Sequence, residues 1–260
     1  MTDWLQGLPA YGSGIVVIGG FVVLTIVIGS IISRVFSHEV RLEHNDLAGF
    51  ILAVIGVVYA VLLAFVAVTV WERFEAAETR SYEEASSLSL VYRDADDFPQ
   101  AREIRSALRT YVKLVAEEEW PAMARGQQSA QADTLIEQID RMIRHLDVKT
   151  MKEVDVHQQM LVAMDQALRD RDTRLTMSAT GISAIMWMVL VLGAVVTVAF
   201  TYLFGYKHSP MRNVMAGSLG LLIGLVLFLT VSLDYPFRGG ITIGPDAFED
   251  LHATFQSIGP

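Results

Sequence analysis

The sequence predicts an all-α membrane protein: four spanning helices, with long helices that run on into an extramembrane helical region. Three observations predict this class. The 260-residue chain is 52% hydrophobic with a mean hydropathy of +0.40, more apolar than an ordinary soluble domain. Its apolar residues gather into four continuous runs, each near the roughly 20 residues that cross about 30 Å of hydrocarbon. Residues 71–178, between the second and third runs, are polar with a helical period. Because the runs are continuous and do not alternate, membrane β-strands are excluded.

The opening MTDWLQGLPAYGSG contains Asp3 and no Lys or Arg, so it lacks the basic start of a signal peptide, and the run behind it is expected to stay in the bilayer. That first run extends from Gly14 to about Phe36 with one charge, Arg34, placed where it can snorkel to the interface. The second, Leu47 to Trp71, has no charge. Neither Gly nor Pro occurs from Val57 to Phe98, so this span should continue out of the membrane as one helix of roughly 60 to 80 Å.

Three amphipathic helices follow in the extramembrane region. One carries Ile104, Leu108, Tyr111 and Val115; the next Leu135, Ile139, Met142 and Leu146; the last Val154, Leu161, Met164, Leu168 and Leu175, with His157 on the same face. Thr134 and Glu137 have capping-box spacing, and DDFPQ and EEEWPAMARGQQ supply breaks. No breaker falls between Lys152 and Thr180, so the last helix should grow straight into the third span, about Ala179 to Phe204. The short GYKHSP separates it from the fourth, about Met211 to Leu233, giving an antiparallel pair. The expected divisions are 1–70 (spans one and two), 71–178 (extramembrane helices), 179–233 (spans three and four) and 234–260, a Pro-Phe turn with an acidic end.

Composition excludes several function classes. A net charge of −9 argues against a nucleic-acid partner. With no cysteine there is no disulfide framework, thiolate nucleophile or cysteine-bound metal. The chain has no G-x-S-x-G, Walker A or H-E-x-x-H, and no enzyme is expected. Among its six histidines only His157 stands four residues, one helical turn, from an acid, Glu153, and one such pair makes a surface hydrogen bond more readily than a metal site. Glu117 to Glu119 and the acids Asp94, Asp96 and Asp97 lack the partners of a cation loop. With 15 Lys and Arg against 21 Asp and Glu, residues 71–178 read as solvated helix faces.

The second span carries more information. Gly49, Ala53, Gly56, Ala60, Ala64 and Ala67 form a strip of small side chains along one face, which lets another helix approach closely, either within the chain or from a second copy. Val57, Val61 and Phe65 form another line at four-residue steps. In a ring of subunits such a line could face a shared axis as a dewetting constriction.

WERFEAAE (71–78), following Ala64-Phe65, resembles the second helix of the bestrophins, and the stretch LDYPFRGGITIGPDAFEDL (233–251) resembles their Pro-Phe turn and the acidic segment after it. The order of four spans with a large helical insertion agrees, and the likeness is to the bacterial bestrophin-like proteins. The resemblance implies a homo-oligomeric, pentameric channel for monovalent ions in a cell membrane, the bacterial inner membrane, with Val57, Val61 and Phe65 as a hydrophobic neck and the second helices lining the pore. It also implies calcium at Asp246, Glu249 and Asp250, and places both termini and the helical region in the cytoplasm. Here the sequence departs from the family: Val66, Ala67 and Val68 replace polar residues after the neck, Arg238 sits inside the turn, and ITIGP separates turn from acids. Anion conduction is the family expectation, whereas Glu72, Glu75 and Glu78 just past the neck would form a circle of carboxylates that favours cations, unless Arg73 and Arg80 pair with them. A non-conducting scaffold that presents its amphipathic helices to a partner is the alternative reading.

Overall fold

The computed structural model describes residues 10–35, 45–203 and 209–258, and these are helical throughout except for short connections. In chain order the helices are α1 (Ala10–Val35), α2 (Asn45–Asp94), a 3-10 turn (Ala95–Asp97), α3 (Ala101–Leu114), a π turn (Val115–Glu119), α4 (Trp120–Ala124), α5 (Ala130–Arg144), α6 (Met151–Ala179), α7 (Ala184–Tyr202), α8 (Ser209–Leu233) and α9 (Asp246–Ile258). Four of them, α1, α2, α7 and α8, contain stretches long and apolar enough to cross a membrane. The expected end of the first span at Phe36, the end of the third at Phe204, and Gly205 to His208 of the following loop lie outside the described residues.

Absence of Gly and Pro has the predicted effect on α2, which is one helix of 50 residues, about 75 Å of unbroken backbone. The parallel expectation for α6 and the third span is corrected. Helix α6 stops at Ala179, Thr180 turns extended at ψ 134°, and α7 begins only at Ala184. Ser183 caps α7 by accepting a hydrogen bond from the Met186 amide. Ile182 N donates to Asp234 Oδ1 at 2.7 Å and the Trp187 indole to Oδ2 at 3.3 Å. Thr180 and Ser183 are poor helix formers, and a buried carboxylate arriving from the end of α8 satisfies the donors the break exposes.

Two compact units divide the chain. The first contains the chain up to Glu72, Gly181–Asp234 and Gly239–Ile241. In it α1 packs on α8 and α7 through close approaches: a Cβ at Gly224 would lie 3.4 Å from Ile18 Cα. Phe21, Ile223, Leu227 and Val231 are buried there, with Thr25 Oγ1 turned back to donate to Phe21 O at 2.9 Å. Leu190, Ala194, Val198 and Tyr202 make the buried face of α7.

The second unit contains Arg73–Thr180, Tyr235–Arg238 and Thr242–Pro260. Its core holds Ile104, Leu108, Tyr111 and Val115, together with Ile139, Leu146, Met164 and Leu175. Leu135, Met142, Leu161 and Leu168 pack partly buried against it. Val154 is corrected: it stands exposed near the start of α6. The capping expectation is also corrected. Ser129 caps α5, while Thr134 lies inside that helix and donates to Ala130 O. The capping box belongs to Thr150 and Glu153 at the start of α6.

Residues 235–238 and 242–258 close the same core. Phe237 is buried and meets Trp120 edge-on at 5.5 Å. Ile243 N donates to Pro236 O at 2.9 Å, and its own carbonyl accepts from the Trp120 indole at 2.9 Å. Gly239 takes a φ of 94°, a backbone region that L side chains avoid. Phe255 stacks on Tyr92 with centroids 3.9 Å apart.

Replacing Asp234 by Ala leaves the Ile182 amide and the Trp187 indole without their acceptor. The expected cost is about 3 kcal/mol, read as a lowered thermal midpoint of the detergent-solubilised protein, with Asp234→Asn losing less.

Candidate functional site

The apolar half of α2 presents different residues around its circumference. Tyr59, Leu63, Val66 and Val70 are buried against the rest of the first unit. On a helix of about 3.6 residues per turn, Val57, Val61 and Phe65 lie roughly opposite, and they are 65%, 49% and 68% exposed. The chain therefore places Val57, Val61 and Phe65, the residues expected to form a neck, side by side on the face its own fold leaves free. The small-residue strip faces out on one flank: Ala53, Ala60 and Ala64 are exposed, and a Cβ at Gly56 would meet nothing within 4 Å. Packing within the chain uses the Tyr59 line instead. Of the residues that replace the family's polar positions, Val66 is turned inward while Val68 is exposed.

Glu72, Glu75 and Glu78 are all exposed. Glu72 and Glu75 continue the neck line at helical spacing, whereas Glu78 has rotated toward the flank of the small strip. The possible pairing of these acids with Arg73 and Arg80 is corrected. Arg73 donates to Thr180 O at 2.9 Å and to Thr180 Oγ1 at 3.2 Å. Arg80 pairs with Glu83 at 2.6 Å and with Asp170 at 3.1 Å. Among the described residues none of the three glutamates has an ion pair, because both arginines are drawn to α6, to the end that follows it or to Glu83.

Asp246, Glu249 and Asp250 are exposed on α9, and the first two fall in its opening turn, where carboxylates complement the positive end of the helix dipole. Among the described residues no group of three or more His, Asp or Glu side chains is placed to hold a metal ion. Glu153 and His157 are engaged separately, Glu153 in the Thr150 capping box and His157 Nε2 with Ile143 O at 2.8 Å.

A buried ionic cluster lies in the second unit, where sequence reasoning expected solvated faces. Arg174 is fully buried on α6. Its Nε lies 2.8 Å from Glu84 Oε2 on α2, and its Nη2 lies 3.1 Å from Glu84 Oε1 and 3.2 Å from Glu119 Oε2. Arg171, one turn earlier, bridges Glu119 at 2.5 Å and Asp133 at 2.6 Å. Tyr111 Oη donates to Glu84 Oε1 at 3.0 Å, and the Arg174 guanidinium lies over Trp120 and Phe248 at 5.0 and 5.3 Å. The π turn sets this geometry by bringing Glu119 inward while Glu117 and Glu118 stay exposed. Burial pushes the Glu84 carboxyl up against the pull of Arg174. Burial alone would push Arg174 down, but Glu84 and Glu119 outweigh it and hold the guanidinium charged. The Tyr111 phenol is held well above its ordinary value by burial and by Glu84, so it stays a donor.

The bestrophin-like domain family matches residues 19–248. The chain belongs to the bestrophin-like family. Among solved structures, a variant of a bacterial bestrophin homologue from Klebsiella pneumoniae is similar to this bestrophin-like chain with a TM-score of 0.67 at 11% identity, over 94% of this chain and 99% of that one. Another structure of a Klebsiella pneumoniae bestrophin homologue gives 0.65 at 12%, over 94% and 97%, and a structure described as a membrane protein gives 0.66 at 13%, also over 94% and 97%. At these identities the likeness is one of fold. Comparison with curated proteins finds no match. Family membership and the four apolar helices mark the chain as a membrane protein.

Arg174→Met would strand Glu84 as a buried carboxylate without a cation and leave Glu119 with Arg171 alone. A loss of about 3–5 kcal/mol is expected, seen as a lowered unfolding midpoint in detergent, and adding Glu84→Gln to that variant should restore part of it.

Proposed function

We propose that the bestrophin-like chain is a passive channel for monovalent ions, assembled as a homopentamer in a bacterial inner membrane with α2 of each copy around the pore. The observation that carries this reading is the exposed line of Val57, Val61 and Phe65, opposite the face of α2 that packs on its own chain. Five such lines around one axis would make an apolar constriction that passes ions only when it wets. Family membership supports a channel as well. The scaffold alternative needs free amphipathic faces, yet Ile104, Leu108, Ile136, Ile139 and Ile143 are spent inside the core of the second unit.

Selectivity follows from charge. Glu72 and Glu75 share the neck's side of α2 and have no ion pair among the described residues, so the assembled ring would carry carboxylates just past the constriction and favour cations. Calcium enters only as a further proposal, since Asp246, Glu249 and Asp250 would need ligands beyond themselves.

Purified protein in a planar bilayer should pass a monovalent current that Phe65→Ala raises several-fold by widening the neck; absence of current from both forms ends the channel reading. In asymmetric KCl the reversal potential should lie on the potassium side, and Glu72→Gln with Glu75→Gln should move it toward zero. A calcium titration of the Asp246→Asn, Glu249→Gln, Asp250→Asn variant that matches wild type would remove calcium from the mechanism.

A further inference from the structure

Two arginines meet at the end of the first unit where α1 and α7 finish and α8 begins. Arg34 comes from the last turn of α1 and Arg212 from the start of α8, and together with Tyr202 and Asn213 they line a recess of about 340 Å³. Recesses of about 300–1,000 Å³ hold small ligands. No acidic side chain among the described residues lines this one. The ends of α1 and α7 bring about half a negative charge each and the start of α8 about half a positive one, so two guanidinium groups leave the recess positive.

The donors are held at its rim. Tyr202 is buried, and its ring packs on Gly29, where an added Cβ would run into it. The Arg212 guanidinium lies over that ring, 5.6 Å from the centroid. Arg34 and Asn213 are exposed and make no ion pair or hydrogen bond with another side chain among the described residues. Ser30 spends its proton on Ile26 O at 2.9 Å, so the donors come from Arg34, Arg212 and Asn213. Arginine forks of this kind match the oxygens of a phosphate.

Depth decides which phosphate. Ile26, Ser30 and Arg34 follow at four-residue steps along one face of α1 and all line the recess, which therefore extends about 12 Å along the helix from an apolar floor to a charged rim. Ile26 is exposed, and so is Val23, a turn deeper, so the open face stays apolar into the span. A soluble anion would use the rim alone, whereas a phospholipid uses rim and floor together. We propose that this recess binds the headgroup phosphate of an anionic phospholipid through Arg34, Arg212 and Asn213, with an acyl chain laid along Ile26 and Val23. Basic pockets between membrane helices take anionic headgroups in this way. No described residue of α2 lines the site, so it depends on neither conduction nor assembly.

Purified protein in a mild non-ionic detergent, titrated with mixed micelles containing phosphatidylglycerol, should gain several degrees in its unfolding midpoint and keep that lipid in native mass spectra. Phosphatidylcholine, with a phosphate but no net charge, should give a much smaller gain, and inorganic phosphate none. Arg34→Gln should fold as wild type and need about tenfold more phosphatidylglycerol for half the gain. Adding Arg212→Gln should abolish the gain, while Arg102→Gln, an exposed arginine of the second unit, should behave as wild type. A wild type without a gain overturns the proposal, as does an undiminished gain in the double variant. Should the double variant not fold, Arg34→Gln decides: an unchanged half-saturating concentration overturns it. An equal gain from inorganic phosphate would assign the recess to a soluble anion, and an equal gain from phosphatidylcholine would leave the arginines no role; either result overturns the proposal.

Discussion

A helix advances about 100° per residue, and in α2 that single constraint distributes the work of the molecule. One side, Tyr59 to Val70, is committed to the chain's own fold. The side opposite must then face something else, and it carries Val57, Val61 and Phe65. Because no Gly or Pro interrupts the helix from Val57 to Phe98, the same phase carries on past the apolar stretch, so Glu72 and Glu75 share the direction of that line. Sliding the sequence forward by one position would put Phe65 at the buried place of Val66 and Leu63 at the exposed place of Ala64.

The second unit is organised around a charge that cannot leave. Arg174 reaches Glu84 on α2 and Glu119 on the π turn, and its guanidinium rests on Trp120 and Phe248. Trp120 in turn holds Phe237 and the Ile243 carbonyl. Removing Arg174, Glu84 or Trp120 takes a partner from a buried polar group, so the cluster specifies one arrangement of α2, α6 and the C-terminal segment. The Pro-Phe turn is therefore part of a core and more than a stop after the last apolar helix.

Breaks and close approaches are handled locally in the first unit. Asp234 receives the donors exposed between α6 and α7, and Gly193 gives the Tyr59 ring its place on α7. The first allows a membrane helix to end without an unsatisfied backbone donor in an apolar setting, and the second allows an aromatic ring to pack against a helix backbone.

The four apolar runs, the unbroken α2, the apolar faces of α3 and α5, and the shared face of Val57, Val61 and Phe65 were legible in the amino-acid sequence, because each depends on length or local periodicity. Family membership was legible too, in WERFEAAE and the Pro-Phe turn. What the sequence could not decide were pairings between distant residues. Arg73 and Arg80 stood beside glutamates in the chain, yet one binds Thr180 and the other also reaches Asp170. Glu119 read as one of three surface acids until a π turn and two arginines more than 50 residues away buried it. The helix break at Thr180 depends on Asp234, and the choice of Ser129 over Thr134 as a cap depends on where α5 can pack. Sequence alone determined which segments are helical and which faces are apolar; the tertiary structure decided which charges are buried and which apolar faces stay free, because both depend on partners far along the chain.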